Sequence, residues 1–295
     1  MNWSWVYVTR PKTLVASFFP VLTGGLSIDL FSNLKALLSF FLCMLFALLV
    51  QIGTNMSNDY YDALRGTDFN RSNAPSRMVA KGILSSCQVY KISICCLFSA
   101  FVVGCFTLVI SGATLWFIPF GLLCIFLAYA YTGGAFPISY NGLGDIFVIL
   151  FFGFGAVEGT RIIVSSTLNT LWEPHWFLAL GLGLIINNLL VVNNYRDYEG
   201  DKLANKKTTV VIFGKGFGLS LYLTSTILSS LLFPLFTEVP LICMSSSLPS
   251  LYGLYRLRIA SNKSDFSICL KLAASSVILY GTAFSLHFFF TNFSH

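Results

Sequence analysis

Charge is scarce in this 295-residue chain: 10% of its residues are Asp, Glu, Lys or Arg, against about 25% in an ordinary soluble domain. That shortage excludes a soluble globular enzyme. Histidine is scarcer still, and His175, His287 and His295 share no metal-ligand spacing, so neither a zinc centre nor a catalytic imidazole is expected. The eight cysteines (43, 87, 95, 96, 105, 124, 243 and 269) lie almost entirely in apolar stretches, without the pairing of a zinc site or a disulfide framework. They read as small packing residues. There is no collagen-like period, low-complexity tract or acidic disordered tail. Met1 to Lys12 lacks a charged region followed by a small-residue cleavage site and is too short for an organelle transit peptide, so the mature chain is expected to start here. The ten-residue alternation of an outer-membrane barrel is also missing.

What fills the chain instead is apolar: 56% of it, with 29 Phe. Stretches of helix-spanning length recur between short polar breaks, so the sequence predicts an all-α integral membrane bundle, a single domain over residues 1–295. At about 20 residues per crossing, nine spans fall near 13–31, 36–56, 92–111, 114–131, 145–168, 175–194, 217–237, 239–257 and 268–291. The first is weakened by Pro20, Gly24 and Gly25, and the seventh and eighth are separated only by Thr237, Glu238 and Pro240, so eight spans remain an alternative. With the N-terminus in the cytoplasm, 16 of the 18 Lys and Arg fall on the inner side, as the positive-inside rule requires; only Lys35 lies in an outer loop and Arg161 within a span. The net charge of +6 therefore reflects topology. Nucleic acid is not an expected partner, since the basic residues do not line an aromatic-studded polar surface.

Six of the twelve acidic residues occupy two loops, Asp59, Asp62 and Asp68 after the second span and Asp197, Glu199 and Asp201 after the sixth. Four spans separate these loops. An even number of crossings returns the chain to the same side, so both acidic clusters are expected to face the cytoplasm and converge on one cavity. Around the first, NMSNDYYDALRGTD, residues Asn55, Asn58, Asp59 and Asp62 fall at i, i+3, i+4 and i+7 on one face of a helix end. In the second, NNYRDYEGDK, Asp197 and Asp201 stand at i and i+4, with Asn193 or Asn194 one turn earlier. The echo, 139 residues apart between Asp62 and Asp201, suggests a duplicated four-helix unit. All these side chains offer hard oxygen ligands. Carboxylates at a membrane boundary need cationic partners, and Mg²⁺ binds through one or two carboxylates plus phosphate oxygens, so two Asp-rich helix ends suit a Mg²⁺-bridged diphosphate. Arg65, Arg71, Arg77, Lys81, Lys202, Lys206 and Lys207 either hold that anion or serve topology alone.

The segment YTGGAFPISYNGLGD, residues 131–145, lies inside yet contains no Lys or Arg. Its glycines permit sharp turns, and Tyr131, Phe136 and Tyr140 either flank a carbocation or flat ring or simply mark an interfacial turn. In the fifth span Glu158 and Arg161, at i and i+3, either neutralise one another or line a substrate cavity.

These motifs resemble the UbiA superfamily of membrane prenyltransferases, which carry N-D-x-x-D followed by a further Asp, and D-x-x-x-D. Here they stand as Asn58, Asp59, Asp62 and Asp68, and as Asp197 and Asp201. Within the superfamily the likeness is closer to the branch that acts on 1,4-dihydroxy-2-naphthoate in menaquinone biosynthesis, through NDYYD with GTD, APSRMVAKGILS from Ala74, YTGGAFPISYNGLGD and NNYRDYEGDKLANKKT. RPKTLVASFFPVLTGG at the start is also familial, whereas the C-terminal part adds little beyond hydrophobicity. Asp68 comes later than in many relatives, a variant that fits this branch, and Arg161 is unusual for it.

The resemblance implies nine helices and Mg²⁺ held by Asp59, Asp62, Asp197 and Asp201, with Asn58 beside them. It implies that the diphosphate of a polyprenyl donor is bound there, with Arg71, Arg77, Lys81, Lys206 and Lys207 as candidates to assist. An aromatic acceptor would sit near Tyr131 and Tyr140, lose its carboxylate as CO₂ and become a demethylmenaquinol, while the donor's tail runs into the lipid bilayer. The location implied is the inner (cytoplasmic) membrane with the site facing the cytoplasm; no protein partner is indicated. A sibling acting on 4-hydroxybenzoate or homogentisate is the nearest alternative. A CDP-alcohol phosphatidyltransferase would need Asp-Gly then Ala-Arg, which Ala63, Leu64 and Arg65 do not supply. A transporter would need more polar residues at mid-membrane than Glu158, Arg161 and a few Asn.

Overall fold

The computed structural model describes residues 3–67, 77–237 and 240–293. Among these residues the regular structure is helical throughout, and their one extended pairing is an isolated bridge between Asn141 and Lys207. The helices are α1 (Trp3–Thr9), α2 (Val15–Leu26), α3 (Leu34–Leu64), α4 (Ser86–Ser111), α5 (Phe117–Ala130), α6 (Gly144–Val148), α7 (Gly159–Leu168), α8 (Trp176–Leu203), α9 (Thr209–Phe213), α10 (Lys215–Ile227), α11 (Pro240–Met244), α12 (Ser247–Ile259) and α13 (Lys263–Phe293). A π-helical stretch, Ile149–Glu158, joins α6 to α7 without a break.

Among the described residues, six segments are long and apolar enough to cross a membrane: Leu34–Leu64, Ser86–Ser111, Gly144–Leu168, Trp176–Leu203, Lys215–Phe236 and Lys263–Asn292. The other three expected spans are also helical where described, but shorter. Helix α2 has 12 residues and α5 has 14, so at 1.5 Å per residue each falls well short of the roughly 30 Å hydrocarbon core. The eighth is divided into α11 and α12. Phe41, Phe98, Val109, Phe126 and Phe290 are each more than half exposed. An apolar coat of this extent suits lipid and not water.

Helix α8 is the axis of the bundle. Its apolar residues run all round, as a buried helix requires, and Leu178, Leu182, Ile185 and Val192 pack with Cys269, Ala273, Val277 and Tyr280 of α13 in the largest core cluster. Small residues let backbones close in, the usual basis of helix association in lipid. A Cβ on Gly153 would stand 2.4 Å from the Ala179 carbonyl oxygen, and one on Gly183 would stand 2.5 Å from that of Ile149. Polar groups buried on α8 find partners across helices: Asn188 Nδ2 donates to Thr226 Oγ1 at 3.0 Å and to Ser250 Oγ at 3.3 Å. The C-terminal ends of α3 and α8 can therefore approach a common space while the helices remain tightly packed below.

Candidate active site

Both Asp faces open on one cavity of ≈ 1660 Å³, lined at one end by Asn55, Asn58, Asp59 and Asp62 of α3 and Asn193, Asn194, Asp197 and Asp201 of α8. The remainder is largely apolar, with Phe101 of α4, Phe120 and Leu127 of α5, Phe147 of α6, and Phe151 and Phe154 of the π-helical stretch. The cavity thus has a polar head and a long hydrophobic body.

The acids are buried, Asp59 to 1% exposure, and their charge is compensated. Asp59 Oδ1 lies 3.3 Å from Arg77 Nη1 and 3.8 Å from Arg10 Nη2, while its Oδ2 accepts from the Val79 amide at 3.3 Å. Asp62 Oδ2 is 4.0 Å from Arg77 Nη2, and its Oδ1 accepts the Tyr140 hydroxyl at 2.7 Å. On α8, Arg196 meets Asp197 through Nε and Nη2, both at 2.8 Å, and Lys206 Nζ lies 3.8 Å from Asp201. Asn58 Oδ1 accepts from Thr132 Oγ1 at 2.5 Å.

Arg10 reaches this site because its backbone is left-handed, φ 52°, where the chain turns from α1 into a short 3₁₀ turn. Asn55 secures that turn, its Nδ2 donating to the Thr9 carbonyl at 2.9 Å and to Thr13 Oγ1 at 3.1 Å. The loops after α5 and α8 brace each other, since the Lys207 amide donates to the Tyr140 carbonyl at 3.1 Å and the Lys206 amide to that of Asp201 at 2.8 Å.

The predicted residues divide accordingly. Asn58, Asp59, Asp62, Arg77, Tyr131, Asp197, Asp201 and Lys206 all line the cavity. Lys81 and Lys207 are exposed and do not line it; Phe136 also points outward. Arg71 and Asp68 lie outside the described residues. Tyr140 corrects an expectation: it is buried behind the wall, with Arg65 4.9 Å and Lys206 5.1 Å from its ring and its hydroxyl turned to Asp62 and Thr67. It positions a carboxylate and does not face the cavity. Burial, with Asp62 beside it, pushes its phenol well above the usual range, so it stays a donor at neutral pH.

Arg10, Arg196, Ser139 and Asp145 also line the cavity. In the sequence the arginines read only as topological charge, and Ser139 and Asp145 only as part of a glycine-rich segment; their place in the cavity is visible in the fold alone. Tyr131 sits between the two halves. At the far end, Glu158 and Arg161 pair, with Arg161 Nε 3.3 Å from Glu158 Oε2, and of the two Glu158 alone lines the cavity, accepting from Trp172 Nε1 at 2.8 Å and the His175 amide at 3.0 Å.

Among the described residues no three acidic, His or Cys side chains gather as a complete metal cage. The donor set nonetheless fits Mg²⁺, which takes one or two carboxylates and completes its shell with phosphate oxygens and water. Each helix end offers one such pair.

Comparison with known proteins agrees with this arrangement. The profile of the UbiA prenyltransferase family matches residues 17–290. The chain is 34% identical over 217 residues to the 1,4-dihydroxy-2-naphthoate octaprenyltransferase of Haemophilus influenzae, covering 71% of this chain and 69% of that protein. It is 34% identical over 223 residues to the enzyme of the same name from Escherichia coli, covering 72% and 69%. Among solved structures, a UbiA homolog from Archaeoglobus fulgidus bound to GPP and Mg²⁺ matches the fold with a TM-score of 0.63 at 17% identity, over 96% of this chain and 99% of that one. A helical membrane bundle with two facing Asp-rich helix ends and a family match over nearly its whole length, this chain belongs to the UbiA prenyltransferase family.

Proposed function

We propose that this protein is a Mg²⁺-dependent polyprenyltransferase of menaquinone biosynthesis. It transfers a polyprenyl group from an allylic polyprenyl diphosphate to 1,4-dihydroxy-2-naphthoate with loss of CO₂, giving demethylmenaquinol. The observation that carries this is the division of one cavity into an acid-rich head, where Arg10, Arg77, Arg196 and Lys206 stand among four aspartates, and an apolar body. A diphosphate with a long hydrocarbon tail has that same division. The acceptor assignment draws on relatives at 34% identity that carry the naphthoate name.

In this reading Asp59, Asp62, Asp197 and Asp201 hold Mg²⁺ against the diphosphate, with Asn58 beside them. Bound there, the metal neutralises the charge that develops on the leaving group as the allylic C–O bond breaks. Arg77 and Lys206, with Arg10 and Arg196, present N–H donors to the diphosphate oxygens, the arginines by their planar forks. Arg71 is a further candidate. The apolar wall keeps water from the allylic cation and guides the tail toward the bilayer, while Tyr131 offers its ring to the aromatic acceptor. The protein works as one membrane-embedded domain in the inner membrane, with the Asp faces at the cytoplasmic side, where the positive-inside distribution puts them.

The test mixes membranes containing the protein with a polyprenyl diphosphate, Mg²⁺ and equal amounts of dihydroxynaphthoate and 4-hydroxybenzoate, and reads products by mass spectrometry. A prenylated naphthalene lacking the carboxylate is expected, abolished by EDTA and restored by excess Mg²⁺. A prenylated benzoate that keeps its carboxylate would overturn the acceptor assignment, and the absence of any product would overturn the reaction.

A further inference from the structure

One buried carboxylate and one buried hydroxyl in the cavity play no part in the diphosphate chemistry above. Asp145, 5% exposed, opens α6 and lines the cavity. Its Oδ1 accepts from Asn187 Nδ2 at 3.1 Å and its Oδ2 from Thr209 Oγ1 at 2.6 Å, both neutral donors. The four acids of the Asp faces differ, since each has an Arg or Lys nitrogen within 4.0 Å. A carboxylate accepts about four hydrogen bonds in all, so Asp145 keeps lone pairs for something in the cavity.

Ser139 is 7% exposed and lines the same wall, and its Oγ has no hydrogen-bond partner among the described residues. A buried hydroxyl left unpaired is unfavourable unless a ligand completes it. The backbone at or next to each residue lies beside Tyr131. The Ser139 amide donates to the Tyr131 carbonyl at 2.9 Å. A Cβ on Gly144, the residue before Asp145, would stand 3.3 Å from the Tyr131 hydroxyl and 4.0 Å from Ser139 Cα. An aromatic side chain, an unsatisfied hydroxyl and, among the described residues, a carboxylate without a cationic partner thus line the same cavity close to one another in the fold.

We propose that Tyr131, Ser139 and Asp145 form the pocket for a hydroxyarene acceptor, with Asp145 as the general base for a ring hydroxyl and Ser139 as the hydrogen-bonding group that orients the ring. This rests on the prenyltransferase reading. The proton passes from the ring hydroxyl to an Asp145 oxygen, which makes the ring electron-rich at the moment of attack. A ring electron pair forms the new C–C bond to the allylic carbon, and the pair of the breaking C–O bond leaves with the diphosphate. The bond from ring to carboxylate then breaks, CO₂ departs, its electron pair restores the aromatic ring, and the proton on Asp145 returns to the ring oxygen.

The test has two arms on purified, Mg²⁺-supplied protein. Turnover of Asp145→Asn is compared with wild type using dihydroxynaphthoate and a halogenated analogue whose hydroxyl ionises more easily. Direct binding of dihydroxynaphthoate, with no diphosphate present, is followed by its fluorescence for wild type and Ser139→Ala. Asp145→Asn is expected to lower kcat by about 10²- to 10⁴-fold, with the deficit shrinking several-fold on the analogue. A purely structural role would give the same deficit on both acceptors. Ser139→Ala, which removes an atom with no partner, is expected to weaken acceptor binding several-fold and leave the KM for the diphosphate unchanged. Equal deficits on both acceptors together with unchanged binding in Ser139→Ala would overturn the pocket, even if wild-type transfer upheld the proposed function. Weakened binding in Ser139→Ala without any wild-type transfer to dihydroxynaphthoate would uphold the pocket and reject that acceptor as substrate.

Discussion

The Asp faces of α3 and α8 carry nearly the same spacing of carboxylates but are held in different ways. On α8 the supports seen among the described residues are local: Arg196 is adjacent to Asp197, and Lys206 follows Asp201 by five residues, carried back by a tight turn. On α3 they come from afar. Arg10 arrives from the N-terminal turn, Arg77 and the Val79 amide from the segment before α4, and the Tyr140 hydroxyl from the loop after α5. Among the described residues, the second face therefore draws on its own segment, while the first draws on three distant parts of the chain that close around it. Similar motifs in sequence are not equally self-sufficient in structure.

The strongest challenge to this comparison removes a carboxylate from each face. Asp62→Asn and Asp201→Asn should each lower product formation by at least about 100-fold, the scale on which loss of electrostatic stabilisation acts. Both variants should remain folded and membrane-inserted, since no packed apolar atom is lost, and a thermal scan beside the product assay checks this. Near wild-type turnover by either folded variant would remove that residue from the metal site.

Next come the arginines. Arg77 lies near both acids of α3, whereas Arg196 lies against Asp197. Arg77→Gln should therefore raise the KM for the polyprenyl diphosphate more than Arg196→Gln does, within the roughly 10- to 100-fold range typical of residues that support metal ligands. Equal effects would mean that the remote support of α3 has no special weight.

The smallest effect expected is that of Tyr140→Phe, which removes one donor to Asp62 and leaves Arg77 in place. It should raise the Mg²⁺ concentration for half-maximal activity by about tenfold. Because burial and Asp62 hold the Tyr140 phenol above its ordinary pKa of about 10, the hydroxyl is protonated throughout the neutral range, and the penalty should not change with pH there. A penalty that vanished as the pH rose toward 9 would show that the phenol ionises and is not held as a donor.

Much of the site was legible in the chain because helix geometry puts i, i+3 and i+4 on one face. Asn58, Asp59, Asp62, Asp197 and Asp201 follow from that rule, and the even number of spans between the faces placed them on one side. The place of Tyr140 was not legible, because a tyrosine in a glycine-rich loop looks the same in sequence whether its ring meets a ligand or its hydroxyl meets an acid. Arg10 and Arg196 were visible only as positive charges, since the positive-inside rule explains an arginine without reference to any partner. Ser139 carried no signal at all; its unpaired hydroxyl is a property of burial. The short helices α2 and α5 diverge from the expected spans because hydropathy records which residues tolerate lipid and not where the backbone turns.

Apolar runs, the bias of Lys and Arg, and the helical spacing of acids are local quantities, so composition and order alone determined that this is a helical membrane protein with two Asp faces. Which cations meet which acids, which tyrosine faces the cavity, and which polar groups are left unpaired within it depend on segments far apart in the chain. Arg77 and Asp59 are 18 residues apart and Tyr140 and Asp62 are 78 apart, and only the packing of α3 and α8 against the intervening loops brings such groups within hydrogen-bonding reach.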